Sequence, residues 1–278
     1  MRTMKIVADS SANLLSLAKI PFANAPLKIT TSEQEFTDDS NLDVDNMVSF
    51  FDTYKGKSKT SCPNSGDFLT AFGDADDIIC ITITSGLSGC YNAACVAKQM
   101  YETANPGKRV CVIDTLSTGP EMQLLIEKLE EWVSDGLSYE EILPRIEPYL
   151  KQTGLAFVLA SLKNFAANGR VSPAIAKITG LLGIRIVGKA SDKGTLEPLY
   201  KCRGEQKSLE TLFSYLKENG LVRGKLRIAH CQNEPLAQAL KQHVNEQLPQ
   251  VDVKILKCRG LCSYYAEKGG LLVGFEKL

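Results

Sequence analysis

Long apolar runs are the first thing this 278-residue chain lacks. No stretch reaches the roughly 18 apolar residues that a membrane-crossing helix needs, so no membrane span is expected. The opening, Met1-Arg2-Thr3-Met4-Lys5-Ile6-Val7-Ala8-Asp9, has no apolar core of the secretory kind. Net charge is missing too, because 32 basic side chains balance 32 acidic ones. Without a whole-molecule field to draw in polyanions, nucleic acid is not an expected partner. Histidine occurs only at 230 and 243, and the nine cysteines include no Cys-x-x-Cys pair. Cys258 and Cys262 have no neighbouring histidine to complete a zinc set, so no metal is expected. The cysteine count is odd, and Cys80 and Cys111 sit inside apolar runs, which reads as reduced thiols used as small hydrophobes in a cytoplasmic chain. Nucleotide fingerprints are absent as well. Gly56-Lys57-Ser58 resembles the end of a phosphate-binding loop, but Phe51 stands where its first glycine belongs, and no Gly-x-Gly-x-x-Gly follows the first strand.

What is present is an ordinary globular balance, 44% hydrophobic and 23% charged, at a length that favours two domains. In the first half, short apolar strands (Lys5–Ala8, Asp77–Ile83, Arg109–Asp114) alternate with helical stretches near 88–101 and 118–133. Ser138 with Glu141 makes a capping box for a further helix. Continuous apolar strands separated by helices predict a parallel sheet covered on both faces. The second half changes character. A strand at Leu155–Ala160 leads into helical segments reaching to about Leu182. The turn Ser191-Asp192-Lys193-Gly194 then joins two strands, and βα units follow to a last strand near 271–275, which predicts a mixed sheet. The expected architecture is α/β, with a parallel-sheet domain over 1–154 and a mixed-sheet domain over 155–278.

Ligands of open parallel sheets bind beyond the carboxyl ends of the strands. The segments there are crowded with hydroxyls: Asp9-Ser10-Ser11, Thr84 to Gly89, and Asp114 to Gly119. A further polar loop, Lys59 to Ser65, is expected between two helical stretches. Hydroxyls and backbone N–H groups at a helix start near Ser88 suit a carboxylate or a phosphate, although Ser and Thr also cap helices and make turns everywhere. Gly86-Leu87-Ser88-Gly89-Cys90 approaches a hydrolase nucleophile elbow but lacks its last glycine. A Ser88–His230 pair is the enzymatic alternative, and His243 reads as solvated. Arg170, in Asn168-Gly169-Arg170-Val171-Ser172, suits an anion. The apolar stretch 174–184 is apt for lining a lipid tunnel and equally apt as core.

These loops, in this order, resemble the DegV family over essentially the whole chain. The resemblance is carried by Asp9-Ser10-Ser11-Ala12-Asn13, Pro26-Leu27-Lys28-Ile29, Lys59-Thr60-Ser61-Cys62-Pro63, Thr84-Ser85-Gly86-Leu87-Ser88-Gly89-Cys90-Tyr91-Asn92-Ala93-Ala94, Val112-Ile113-Asp114-Thr115, Asn168 to Ser172 and Tyr200 to Gly204. It implies two α/β domains that hold a long-chain fatty acid without catalysing a reaction. The carboxylate would be bound by Thr60 or Ser61 and by Ser85, Ser88 and Gly89, with Arg170 and Arg203 as anion or docking contacts. In some members the acid is presented to a separate kinase. Near the C-terminus the family usually carries Thr-His-x-Gly-Pro-Gly, and its histidine falls on Tyr265 here. Tyr265 is therefore expected to point its hydroxyl at the carboxylate, within reach of Ser61 or of the head group. A tyrosine donates a hydrogen bond but does not become cationic near neutrality.

Overall fold

The structure is a computed structural model that describes residues 2–178 and 183–278, with backbone alone at 176–178. Strand β1 (Met4–Asp9) runs into a single 3-10 turn, Ser10–Ala12, which Asp9 caps by accepting from the Ser11 N–H. β2 (Phe22–Ala25), β3 (Lys28–Thr31) and β4 (Glu35–Thr37) follow, then α1 (Val44–Thr53), β5 (Ser58–Ser61) and α2 (Ser65–Phe72). β6 (Asp77–Thr82), α3 (Cys90–Ala104), β7 (Arg109–Asp114), α4 (Gly119–Ser134) and α5 (Tyr139–Lys151) complete the first half. Strands β2-β1-β6-β7 form one sheet, parallel throughout. Every residue of β6 is buried, as a strand covered on both faces requires. The capping box is present at Ser138–Glu141, although α5 carries Pro144 and Pro148.

The second half consists of β8 (Thr153–Leu159), α6 (Lys163–Ala167), α7 (Pro173–Ile178), β9 (Ile184–Ala190), β10 (Leu196–Arg203), α8 (Glu205–Glu218), β11 (Gly224–His230), α9 (Glu234–Gln247), β12 (Val251–Lys257), α10 (Gly260–Ala266) and β13 (Leu271–Glu276). Its sheet has the order β10-β9-β8-β13-β11-β12, antiparallel except for the β11–β12 pair. Strands of the parallel sheet come from residues 4–114, and strands of the mixed sheet from 153–276.

The halves interlock. Helix α4 lies against β13 and β11, and Gly274 makes that approach possible, since a Cβ there would stand 2.5 Å from the Pro120 carbonyl carbon. Arg227 of β11, fully buried, donates to both carboxylate oxygens of Glu127 at 2.8 and 2.7 Å and to Asp252 at 2.9 Å. A third sheet, β4-β3-β5, packs with α1 against the second half. Ile29, Phe36 and Met47 share a core there with Phe157, Ala229 and Tyr264.

Three expectations are corrected here. The segment Lys59–Ser65 is not simply a loop between helices, because Ser58–Ser61 pairs antiparallel with β3. Its polar sequence carries no strand periodicity, and pairing with a distant strand makes it. His243 is half-buried, not solvated, with its ring edge-on to Phe213 at 4.6 Å. The apolar stretch 174–184 enters α7, and Ile175 packs into the third core, but 179–182 lie outside the described residues.

Candidate functional site

The site is built where β5, α6 and α10 meet the loop after β6. Successive side chains of a strand point to opposite faces, so Ser58 and Thr60 share one, and that face meets two adjacent tyrosines of α10. The Tyr264 hydroxyl lies 2.7 Å from Ser58 Oγ, and the Tyr265 hydroxyl 2.7 Å from Thr60 Oγ1. Asn168, just past α6, ties the two pairs together. Its Oδ1 accepts from the Thr60 N–H at 3.1 Å, and its Nδ2 donates to the Tyr264 hydroxyl at 2.9 Å. Phe165 packs against Tyr265 with the rings tilted by 38° and their centroids 4.7 Å apart. Burial pushes the Tyr265 phenol above its ordinary range, against the pull of Thr60 and Arg170, so it stays a neutral donor.

Arg170 reaches into this corner from the loop after α6. Its Nε donates to the Leu87 carbonyl at 3.1 Å and its Nη1 to the Asn168 carbonyl. It is half-buried, and among the described residues no carboxylate lies within ion-pair reach of it. Ser88 Oγ sits 3.2 Å from Cys90 Sγ, just before α3. Ser88, Arg170 and Tyr265 line a narrow cavity of about 60 Å³, whose other walls include Leu27, Leu261 and Leu272. A second apolar cavity, about 40 Å³, shares Leu87, Thr118, Phe165 and Leu272 with the first and continues past Phe157 to Leu196. The two make a largely apolar passage between the sheets, with Ser88, Arg170 and Tyr265 on the wall of the first cavity.

The other hydroxyl-rich loops are placed differently. Ser10 Oγ accepts from the Leu27 N–H at 3.0 Å, and Ser11 Oγ donates to buried Asp9, whose other oxygen accepts from the Ile83 N–H at 2.7 Å. Burial drives the Asp9 carboxyl up to about 6 despite those donors. Thr115 Oγ1 donates to the Thr82 carbonyl at 2.8 Å, and Ser117 Oγ to buried Glu121. These loops therefore spend their hydroxyls holding the first sheet together. Ser61, Ser85 and Gly89 are exposed and do not line the passage. Gly89 abuts Cys62 Sγ, and the Ser85 N–H donates to Asp114. Arg203 is exposed at the end of β10 away from Leu196.

Tyr265 meets Thr60, not Ser61. Asn168, Tyr264 and Phe165 were not singled out from the sequence as site residues, and the one available signal was the quoted Asn168-Gly169-Arg170 motif. Ser88 and His230 are not brought together. His230 lines a different cleft, and its Nδ1 accepts from the Asn233 N–H at 3.3 Å. Among the described residues no cluster of three or more metal-ligating side chains occurs, and no helix is long and apolar enough to cross a membrane.

Fold and site together define a class, an α/β protein with a parallel and a mixed sheet and, between them, an apolar passage lined in part by a guanidinium and a set of hydroxyls. The profile described as "Uncharacterised protein, DegV family" matches residues 3–277, and the chain belongs to the DegV family. A DegV domain-containing protein of Streptococcus pneumoniae is 43% identical over 278 residues, covering 99% of each chain. Among solved structures, a DegV family protein from Eubacterium eligens loaded with heptadecanoic acid is 42% identical. It superposes with a TM-score of 0.97 over 99% of this chain and 100% of its own. The Streptococcus pneumoniae fatty acid kinase B3 protein loaded with linoleic acid is 43% identical, again with a TM-score of 0.97 and the same coverage.

Proposed function

We propose that this protein binds one long-chain fatty acid, without catalysing a reaction on it, and presents the carboxylate to a partner kinase in the cytoplasm. The observation that carries the reading is Arg170, a half-buried guanidinium with no carboxylate partner among the described residues, on the wall of an apolar passage. A fatty acid supplies both missing pieces, an anion for Arg170 and methylenes for the passage. The Thr60-bonded hydroxyl of Tyr265 and the Ser88 hydroxyl stand beside it as further donors. The fatty acids named for the Eubacterium eligens and Streptococcus pneumoniae relatives, and the kinase named for the latter, support the same ligand and the same kind of partner.

The energetics fit a binder. Burying about 0.8 kcal/mol per methylene gives a C16 chain on the order of 11 kcal/mol gross, before ordering costs. Cavities of about 60 and 40 Å³ are well below the roughly 300–1,000 Å³ of ordinary ligand pockets. Uptake therefore requires side chains such as Leu87 and Phe165, which line both cavities, to move apart. A hydrolase reading has no comparable support, since its serine and histidine stand in separate cavities. Calorimetric titration of delipidated protein with palmitate and oleate tests the proposal. Saturable one-to-one binding at micromolar concentration is expected, and no saturable heat with either acid would refute it.

A further inference from the structure

The second cavity of the passage lies under the turn that joins β9 to β10. Alternate residues of a strand share a face. Leu155, Phe157 and Leu159 of β8 line this cavity, while Ala156 and Val158 sit in the core on the other side of the sheet. Ala190 and Leu196 are direct cross-strand partners, so their side chains share a face, and both line the same cavity. Gly188, opposite Phe157, leaves room for the ring, since a Cβ there would stand 2.5 Å from Phe157 Cε2.

The turn is pressed on the loops that follow β6 and β7. A Cβ on Gly86 would stand 2.6 Å from the Lys193 carbonyl oxygen. One on Gly194 would collide with the Thr84 side chain and stand 3.0 Å from Leu116 Cα. The polar groups of the turn bond to one another instead of crossing this contact. Ser191 Oγ accepts from the Lys193 and Thr195 N–H groups at 3.3 and 3.1 Å, and the Gly194 N–H donates to the Ser191 carbonyl at 2.8 Å. Among the described residues no hydrogen bond or ion pair joins 191–195 to the first half. Each van der Waals contact is individually weak. A chain pushing from beneath therefore lifts the turn before it parts the hydrogen-bonded β8–β9 ladder.

Ser88, Arg170 and Tyr265 belong to the first cavity only. Lys189, the one cation that lines the second, is paired with Glu197 at 3.6 Å. A chain whose carboxylate meets Arg170 thus sends its later methylenes under the turn. We propose, resting on the fatty acid reading above, that the Ala190–Leu196 pair beneath this turn is the stop for the methyl end and selects the length of the acyl chain. Chains that are too short leave the second cavity unfilled, and chains that are too long must lift the turn off Thr84 and Leu116.

Affinities of the full-length protein for myristate, palmitate, stearate and arachidate, each below its critical micelle concentration, would be read by displacement of an acyl probe. The native protein would be compared with Leu196→Ala, which takes three carbons from the stop, and Ala190→Leu, which adds three. Each methylene that gains or loses burial changes affinity about fourfold. The ratio of arachidate to palmitate affinity should therefore rise about tenfold in Leu196→Ala and fall about tenfold in Ala190→Leu. Leu196→Ala introduces no clash and decides the question alone where Ala190→Leu does not fold. Binding retained with the native ratio, or ratios that move in the same direction in both variants, would overturn the stop and leave the fatty acid reading standing. No saturable binding of any of the four acids by the native protein would overturn that reading, and the stop with it.

Discussion

At the scale of single residues, the account rests on Arg170 and its neighbours. Arg170 uses two of its donor nitrogens on the Leu87 and Asn168 carbonyls, which hold the guanidinium in place while its charge stays uncompensated. Hydrogen bonds to a charged acceptor contribute about 1.5–3 kcal/mol, so Arg170→Gln should weaken fatty acid binding by tenfold or more. Fluorescence displacement of an acyl probe would read this, and an unchanged dissociation constant would remove Arg170 from the site. Tyr265→Phe takes away a neutral donor only, worth about 0.5–1.5 kcal/mol, and should cost a modest factor. Because burial raises the Tyr265 phenol above its ordinary value, affinity should show no titration step between about pH 6 and pH 8 from this position. A clear step there, lost in Tyr265→Phe, would contradict the assignment. Thr60, Ser88 and Arg170 were legible as residue types in loops. What the sequence could not show was which hydroxyls face a ligand. Ser10, Ser11, Thr115 and Ser117 look the same in one dimension but are consumed by Leu27, Asp9, Thr82 and Glu121.

Among the elements, β5 and α10 carry the hydroxyls of the site while α4 docks the two halves together, and all three show where sequence reading stops. The helices and apolar strands were legible because their periodicity is local. β5 was not, since Ser58-Lys59-Thr60-Ser61 becomes a strand only by pairing with β3. The α10 helix, which carries both tyrosines, has only seven residues and gives little periodicity to read. The docking of α4 on the second sheet was equally invisible, because Gly274 carries no sign of the Pro120 backbone pressed against it. Gly274→Ala puts a methyl 2.5 Å from that backbone and should destabilise the protein by about 1–3 kcal/mol. Urea denaturation monitored by circular dichroism would measure this. Unaltered stability would mean that α4 and β13 are not in close contact.

For the whole molecule, the buried carboxylates predict how stability varies with pH. Asp9 sits at about 6 in the fold, raised by burial from an unfolded value near 3.8. The folded state therefore holds its proton where the unfolded chain has lost it, and Asp9's contribution falls as pH rises from about 4 through 6. By linkage this amounts to roughly 3 kcal/mol. Asp77 runs the other way. Burial pulls it up, but Arg2 and Arg109 outweigh burial and hold it at about 2, so its contribution is lost only as pH falls through that value. Asp9→Asn should accordingly gain on the native protein by about 2 kcal/mol between about pH 4.5 and pH 7.5. Parallel stability curves for the two proteins would show that Asp9 does not titrate in this window.

The two-part α/β organisation and the family were legible from the sequence because strand pattern and loop motifs are spread along the chain. The passage was not, because Leu27, Phe157, Phe165, Leu196 and Leu272 come from five separate segments and meet only in the fold. The most direct test of the central claim is native mass spectrometry of delipidated protein incubated with oleate, alongside Arg170→Gln. The account predicts a single adduct of one oleate mass on the native chain, strongly reduced in the variant. A native chain that stays unmodified at micromolar oleate, or an adduct equally abundant in Arg170→Gln, would contradict it.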